Sequence, residues 1–276
     1  MSLTSAQLEI IDLTPRIGSE VRCDLDTLLS GREAERIRAT LERRGVIFFR
    51  GLTVTDEQQV AVAETLGDIV QGEGQAGIYK ISLDKSVNQR AEYLKGSMFW
   101  HFDGSLQPYP NLATLLRAVR LSDTGGETEF CNTYAAYEDL PPSDKDFIAD
   151  LRVVHSAERS QYYVRPEMSY EELSFWQKSP TKSCPIVWTH RSGRKSLLLG
   201  ATADYVIGMP VEESRALLAR LRDWATQPQY VYRHEWQPGD LLIWDNTGTM
   251  HRVLPYAEDS GRLMHRTILA GEEPLH

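Results

Sequence analysis

Six short runs most limit what this chain can become: Leu112–Val119, Ile186–Thr189, Ser196–Leu199, Tyr230–Trp236, Leu241–Trp244 and Arg262–Leu269. Each is apolar or alternates apolar with polar residues, and each is bounded by Gly, Pro, Asp or Asn, which marks strands. Val46–Phe49, stopped at Gly51, reads as another buried strand. Helical patterns are fewer. Residues 31–45 read as a helix, with Ser30 as its cap, Ala34, Ile37 and Leu41 on one face and Gly45 at its end. Thr55 and Gln58 form a capping-box pair that opens a second helix through Val60, Ala63 and Leu66. A third starts near Ser143 with Phe147, Ile148 and Leu151, and a fourth runs from Val211 to Gln227 with Leu217, Leu218, Leu221 and Trp224 inward. A doubly wound parallel sheet needs helices alternating with strands, and these do not alternate. The expectation is a mainly β fold with flanking α-helices, two sheets forming a sandwich or jelly roll. Two polar stretches, 71–95 and 158–182, show no clear period and are long enough to act as functional loops.

No internal repeat or linker divides the 276 residues, so a single domain over 1–276 is expected. The formal net charge of −9 argues against a nucleic-acid partner, whose binders carry a basic footprint. It leaves room for an anionic small substrate held in a locally positive pocket. Cys23, Cys131 and Cys184 are odd in number and lack CxxC spacing, which fits a reducing compartment without a disulfide framework. The first residues show no secretory signal, and no apolar run approaches the roughly 18 residues of a membrane span. A cytoplasmic protein with no membrane partner is expected.

The chemistry begins at Phe99-Trp100-His101-Phe102-Asp103. In an extended segment residues two apart point the same way, so His101 and Asp103 can present an imidazole and a carboxylate to one point. An HxD alone is weak, because the chain has seven histidines. A second half lies downstream, where Trp244-Asp245-Asn246 closes an apolar strand and a short turn leads to Met250-His251. Two histidines and one carboxylate make the facial triad of non-haem iron(II) oxygenases, which leaves metal positions open. A structural zinc site would close with four ligands, often cysteines, and no cysteine is near His101 or His251 in sequence. Arg262 and Arg266 share a face if their segment is a strand. Two guanidinium groups aimed inward need anions, and arginine grips carboxylates in bidentate fashion. A pair of surface arginines on an edge strand is the plainer alternative.

Together these motifs resemble the taurine dioxygenase and phenoxyacetate-herbicide dioxygenase family of 2-oxoglutarate enzymes. The similarity runs from about Trp100 to Glu273. It includes the WHxD element at Trp100–Asp103, the GGxT-like segment Gly125-Gly126-Glu127-Thr128, the Trp244-Asp245-Asn246 approach to His251, and the closing arginine strand. The stretches GGETEFCNTYAAYEDLP, THRSGRKSLLLGATADYVIGMP and YVYRHEWQPGDLLIWDN are most similar to the herbicide branch. The resemblance implies a double-stranded β-helix, a cupin-like jelly roll with helices outside. It implies His101, Asp103 and His251 as iron(II) ligands and catalytic centre. Arg262, eleven residues past His251, would bind the distal carboxylate of 2-oxoglutarate with help from Thr128, and Arg266 would contact an anionic group on the prime substrate. The reaction implied consumes O2 and 2-oxoglutarate, releases succinate and CO2, and hydroxylates a C–H bond. Collapse and cleavage follow if that carbon bears a heteroatom. A homo-oligomer of two or four chains is a common arrangement among such enzymes.

Before Trp100 the resemblance fades. Tyr79 and Lys80 could face the pocket, although Lys80 reads better as a solvated strand residue. Trp100 and Phe102 flank His101 as pocket walls or packing support. His155, His190, His234 and His265 read as structural. Two other classes remain in view: a zinc-dependent hydrolase using the same His/Asp/His site, and a non-catalytic sensor module of the same fold. Neither accounts for Thr128, Arg262 and Arg266 in register. A halogenase would replace Asp103 with a small residue.

Overall fold

The computed structural model describes residues 8–70 and 77–275. The first residues, read above for a secretory signal, lie largely outside these, as do residues 71–76 of the polar stretch. The largest sheet has seven strands in the order Glu9–Asp12, Ser19–Arg22, Val46–Phe49, Leu241–Asp245, Ala113–Arg120, Leu263–Ile268, Tyr79–Ile81. All its pairings are antiparallel except that of Ser19–Arg22 with Val46–Phe49. A second sheet of three strands follows the order Val231–His234, Thr128–Asn132, Thr249–Val253. Mostly strands in facing sheets with helices outside is the jelly-roll architecture expected, although neither sheet closes on itself.

The central strands are buried on both faces, and period-two alternation divides their residues between two cores. Ile47, Phe49, Leu115, Leu241 and Ile243 pack with Leu28, Ile37, Leu41, Val62 and Leu66 of the N-terminal helices. Val46, Phe48, Leu116, Leu242 and Trp244 point the other way and meet Phe130 and Met264 between the sheets. A third core joins the second sheet, through Cys131 and Met250, to Leu217, Leu218 and Leu221 of the helix Val211–Ala225. Val46–Phe49 and Leu241–Trp244 are therefore apolar runs rather than half-polar alternations.

Most expected elements are present with edges moved by a residue or two. One cap differs. Ser30 closes the short helix Leu25–Leu29, donating to the Thr27 carbonyl, while the next helix, Ala34–Arg44, starts at Glu33 without a side-chain cap. Thr55 and Gln58 do form a reciprocal capping box on Asp56–Leu66. The third helix is Pro142–Ile148; Ile148 is buried, but Phe147 faces outward at 54% exposure and Leu151 lies beyond the helix. The stretch 158–182 is not a loop but two helices, Ala157–Val164 and Tyr170–Trp176. Within 71–95 lie the strand Tyr79–Ile81 and the helical turn Ala91–Leu94. Among the described residues no helix is long and apolar enough to cross a membrane, and all three cysteines are free thiols.

Candidate metal centre

His251 sits in the middle of Thr249–Val253, and the turn before it is tightly specified. The Asp245 carboxylate accepts from the Thr247 amide at 2.7 Å and from its hydroxyl at 2.6 Å, an Asx-type turn. Gly248 lets the chain pass the Tyr134 ring: a Cβ there would stand 1.8 Å from a ring carbon. The strand then meets the His101 segment. His101 N donates to the His251 carbonyl at 3.1 Å and His251 N donates to the His101 carbonyl at 3.0 Å. The two residues so form an antiparallel bridge, with ring centroids 4.1 Å apart. On the far side of His101, Gly200 approaches to a distance at which a Cβ would be 3.1 Å from the His101 Cα, and its φ of +106° suits glycine.

Asp103 lies two residues on. Its carboxylate oxygens stand 3.7 Å from Nε2 of His101 and 3.7 Å from Nε2 of His251. One ligand atom from each of His101, Asp103 and His251 falls within 4.8 Å of the others. The His101 Nδ1 donates to the Phe99 carbonyl at 2.9 Å, which leaves the Nε2 lone pair free. His251 is held differently. Its ring stacks on Phe130 at 6.0 Å and is crossed by Trp244 at 4.7 Å, while its Nδ1 has no hydrogen-bond partner among the described residues. Burial, with His101 alongside, holds this imidazole neutral by pushing its pKa down to about 3. Burial alone would raise the Asp103 carboxyl; the two imidazoles and the Arg266 guanidinium outweigh it and keep the group below its ordinary value. The buried Oδ2 of Asp103 accepts no hydrogen bond among the described residues. Neutral imidazoles and an unshared carboxylate oxygen converging on one point fit a divalent metal bound on one face.

His101 and Asp103 open onto a cavity of about 260 Å³. Arg266 lies in its wall, with Nη1 3.9 Å from Asp103 Oδ2 and its guanidinium over the Tyr79 ring at 5.0 Å. Arg262 goes elsewhere. It precedes the strand Leu263–Ile268, is 4% exposed, donates to the Gly126 carbonyl at 3.1 Å and stacks on Tyr256 at 4.7 Å. Its buried Nε has no partner among the described residues, and burial lowers its pKa. Thr128 is buried, and its hydroxyl accepts from the Trp236 indole at 3.0 Å. The two arginines thus serve separate places rather than one shared patch.

The other histidines are engaged in structure. His155 contacts the Thr202 hydroxyl, His190 meets Ser196 and Glu273, His234 lies between Tyr232 and Asp240, and His265 bonds Asp56. Lys80 is exposed on the edge strand, as its sequence suggested. Phe102 packs on Trp188, and Trp100 turns outward under the Arg252 guanidinium at 4.7 Å, so both support the ligands from behind. Sequence reasoning missed Tyr93, Ser105, Gln161 and Thr202, which line the same cavity. Tyr93 and Gln161 come from the two stretches that had no readable period, while Ser105 and Thr202 lie in short connections outside them.

Known proteins resemble this chain. Residues 9–268 match the "Taurine catabolism dioxygenase TauD, TfdA family". The alpha-ketoglutarate-dependent 2,4-dichlorophenoxyacetate dioxygenase of Burkholderia sp. (strain RASC) is 34% identical over 273 residues, covering 92% of this chain and 91% of that one. The alpha-ketoglutarate-dependent sulfate ester dioxygenase of Pseudomonas putida is 33% identical, covering 98% and 91%. The crystal structure of AAD-2 in complex with Mn(II) and N-oxalylglycine superposes with a TM-score of 0.84 at 34% identity, covering 98% of this chain and 100% of that one. The chain therefore belongs to the taurine catabolism dioxygenase TauD, TfdA family and is an iron(II)- and 2-oxoglutarate-dependent dioxygenase.

Proposed function

We propose that this dioxygenase oxidises a small organic anion, a carboxylate, sulfonate or sulfate ester, using one domain that spans residues 1–276. In this reading His101, Asp103 and His251 hold the iron, Arg262 and Thr128 take the distal carboxylate of 2-oxoglutarate, and Arg266 faces the anionic group of the prime substrate. The observation that carries it is the convergence of the three ligand side chains on one point beside a cavity that His101 and Asp103 line and whose only lysine or arginine, among the described lining residues, is Arg266. Bound iron(II) supplies the coordination positions where 2-oxoglutarate and dioxygen react and the oxidising power that removes hydrogen from a C–H bond.

The protein's part is binding and orientation. The Phe99 carbonyl keeps the His101 proton on Nδ1 and so turns the Nε2 lone pair to the metal. The Arg262 guanidinium spends one hydrogen bond on Gly126 and keeps further N–H groups for a carboxylate. Thr128, which accepts from Trp236, retains its own hydroxyl proton to donate. Arg266 can form an ion pair at the cavity wall beside Asp103, which sets an anionic substrate next to the metal. Hydroxylation is the expected outcome, with bond cleavage when the attacked carbon bears O, N or S. Neither nucleic acid nor a membrane is needed as a partner.

The test is a screen of small carboxylates, sulfonates and sulfate esters with iron(II), 2-oxoglutarate and air. Succinate formed in proportion to substrate lost is the expected result. Turnover of an ester with zinc and without 2-oxoglutarate would instead favour the hydrolase alternative.

A further inference from the structure

Apart from His101, Asp103 and Arg266, the polar side chains that line the cavity are, with one exception, already hydrogen-bonded within the protein or exposed at its surface. Ser97 donates to the Leu94 carbonyl at 2.6 Å and Ser160 to the Ala157 carbonyl at 2.7 Å. Ser105 and Thr202 bond each other at 3.0 Å, and Thr202 also meets His155 at 2.8 Å. Gln107 is exposed and Tyr93 is 49% exposed, so water can serve both. Gln161 is the exception. It is 6% exposed, lines the cavity with His101, Asp103 and Arg266, and its carboxamide makes no hydrogen bond among the described residues. A carboxamide carries two N–H donors and a carbonyl acceptor, and here its polar atoms are not sealed in the interior but open to the cavity, where a ligand can meet them.

The backbone brings Gln161 there for identifiable reasons. Ser156 caps the helix Ala157–Val164 by accepting from the Arg159 amide at 3.0 Å, which fixes where the helix starts. Its inner face then meets the turn Lys95–Met98, where Gly96 has no side chain; a Cβ there would lie 3.9 Å from the Gln161 Nε2. The carboxamide therefore reaches the cavity beside the segment that leads into His101.

We infer that Gln161 is a specificity-determining residue that hydrogen-bonds a neutral polar group on the prime substrate, so that the substrate is an organic monoanion bearing a hydroxyl, ether, carbonyl or amide in its body rather than a plain hydrocarbon tail. This inference rests on the proposed role of Arg266. One ion pair leaves a small anion free to swing about its charged end. A second anchor at Gln161 fixes its direction and so selects which C–H bond faces the metal. An analogue without the polar group would displace water from the carboxamide and leave it unpaired, which weakens binding.

The test reads equilibrium binding without turnover, on protein loaded with Mn(II) and 2-oxoglutarate, using anions matched in shape. Phenoxyacetate is paired with 3-phenylpropanoate, and 3-hydroxypropane-1-sulfonate with butane-1-sulfonate. The expected result is that the polar member of at least one pair binds about tenfold more tightly, and that Gln161→Leu reduces that ratio to within about twofold while 2-oxoglutarate affinity is unchanged. Unchanged 2-oxoglutarate affinity also shows that the variant folds. Equal affinities within both pairs in the unmodified protein, a preference that Gln161→Leu retains, or failure of every polar member to bind would overturn the inference. Failure of the unmodified protein to bind 2-oxoglutarate with Mn(II) is a separate result and would strike the underlying functional reading.

Discussion

On one side of the cavity, His101 and His251 exchange two backbone hydrogen bonds, and the Phe130 and Trp244 rings pin the buried His251 imidazole. On the other, short helical segments at Ala91–Met98 and Ala157–Val164 supply Tyr93 and Gln161. That second wall is tied by side chains. Glu92 pairs with Lys85 and Lys95 at 3.0 Å each and lies 3.8 Å from Arg165, Arg165 also pairs with Glu172, and the Tyr93 and Trp176 rings stack at 6.1 Å. Main-chain pairing holds the ligands whatever residues surround them, whereas exposed ion pairs contribute about 0–1 kcal/mol each and are screened by salt. The difference implies a division of labour: the sheets carry the metal chemistry, and the loosely attached helices carry the choice of substrate.

Substitutions on the sheet side are expected to have the largest effects. Arg262→Ala should raise the KM for 2-oxoglutarate on the order of a hundredfold, about 3 kcal/mol, with kcat largely kept at saturation, because a buried charge-assisted contact is lost. Arg266→Ala should weaken the prime substrate roughly thirtyfold, about 2 kcal/mol, and leave 2-oxoglutarate affinity unchanged; an effect on 2-oxoglutarate of equal size would merge the two arginine sites. Steady-state kinetics with each substrate varied in turn distinguish these outcomes.

A pH effect of similar size is expected behind Thr202. Burial, with a smaller contribution from Lys182, pushes the His155 imidazole down to about 4. The unfolded chain then takes up a proton at higher pH than the folded one. The stability from keeping this ring neutral is complete above about pH 6.5 and is lost as pH falls toward 4. Between pH 6.5 and 5 the loss is about 2 kcal/mol from this residue. His190, also pushed to about 4, adds to it. Unfolding free energies from urea titrations at the two pH values should therefore converge by about 2 kcal/mol in His155→Gln; an unaltered pH slope would show that the ring is not held neutral. The smallest effect belongs to the helical wall. Glu92→Ala should cost less than about 1 kcal/mol of stability. A loss of several kcal/mol in the same urea titration would mean that this wall is as firmly built as the sheet.

The same division explains what was legible in the sequence. Val46–Phe49 and Leu241–Asp245 were readable because a strand buried on both faces is an unbroken apolar run. His101, Asp103 and His251 were readable as candidates because HxD in an extended segment and a histidine just past an Asx turn are local patterns. Ser30 was misplaced because a serine between two helical segments can serve either, and here the unnoticed helix Leu25–Leu29 claims it. Phe147 was expected inward from its period, yet it is 54% exposed because, among the described residues, nothing covers that face of the helix Pro142–Ile148. Gln161 carries no local signal: it meets the turn at Gly96, sixty-five residues away, and that contact comes from the fold rather than from its own neighbours in sequence. Arg262, just before the strand, meets Gly126, while Arg266, inside it, lies beside Asp103, and neither partner is near in sequence.

The central claim is that His101, Asp103 and His251 form one iron site that accepts 2-oxoglutarate. It is tested most directly by anaerobic titration of the protein with iron(II) and 2-oxoglutarate, followed by visible absorption. The expected result is a weak charge-transfer band that saturates at one iron per chain and is lost in Asp103→Ala. No band in the unmodified protein, or a band of undiminished strength in Asp103→Ala, would contradict it.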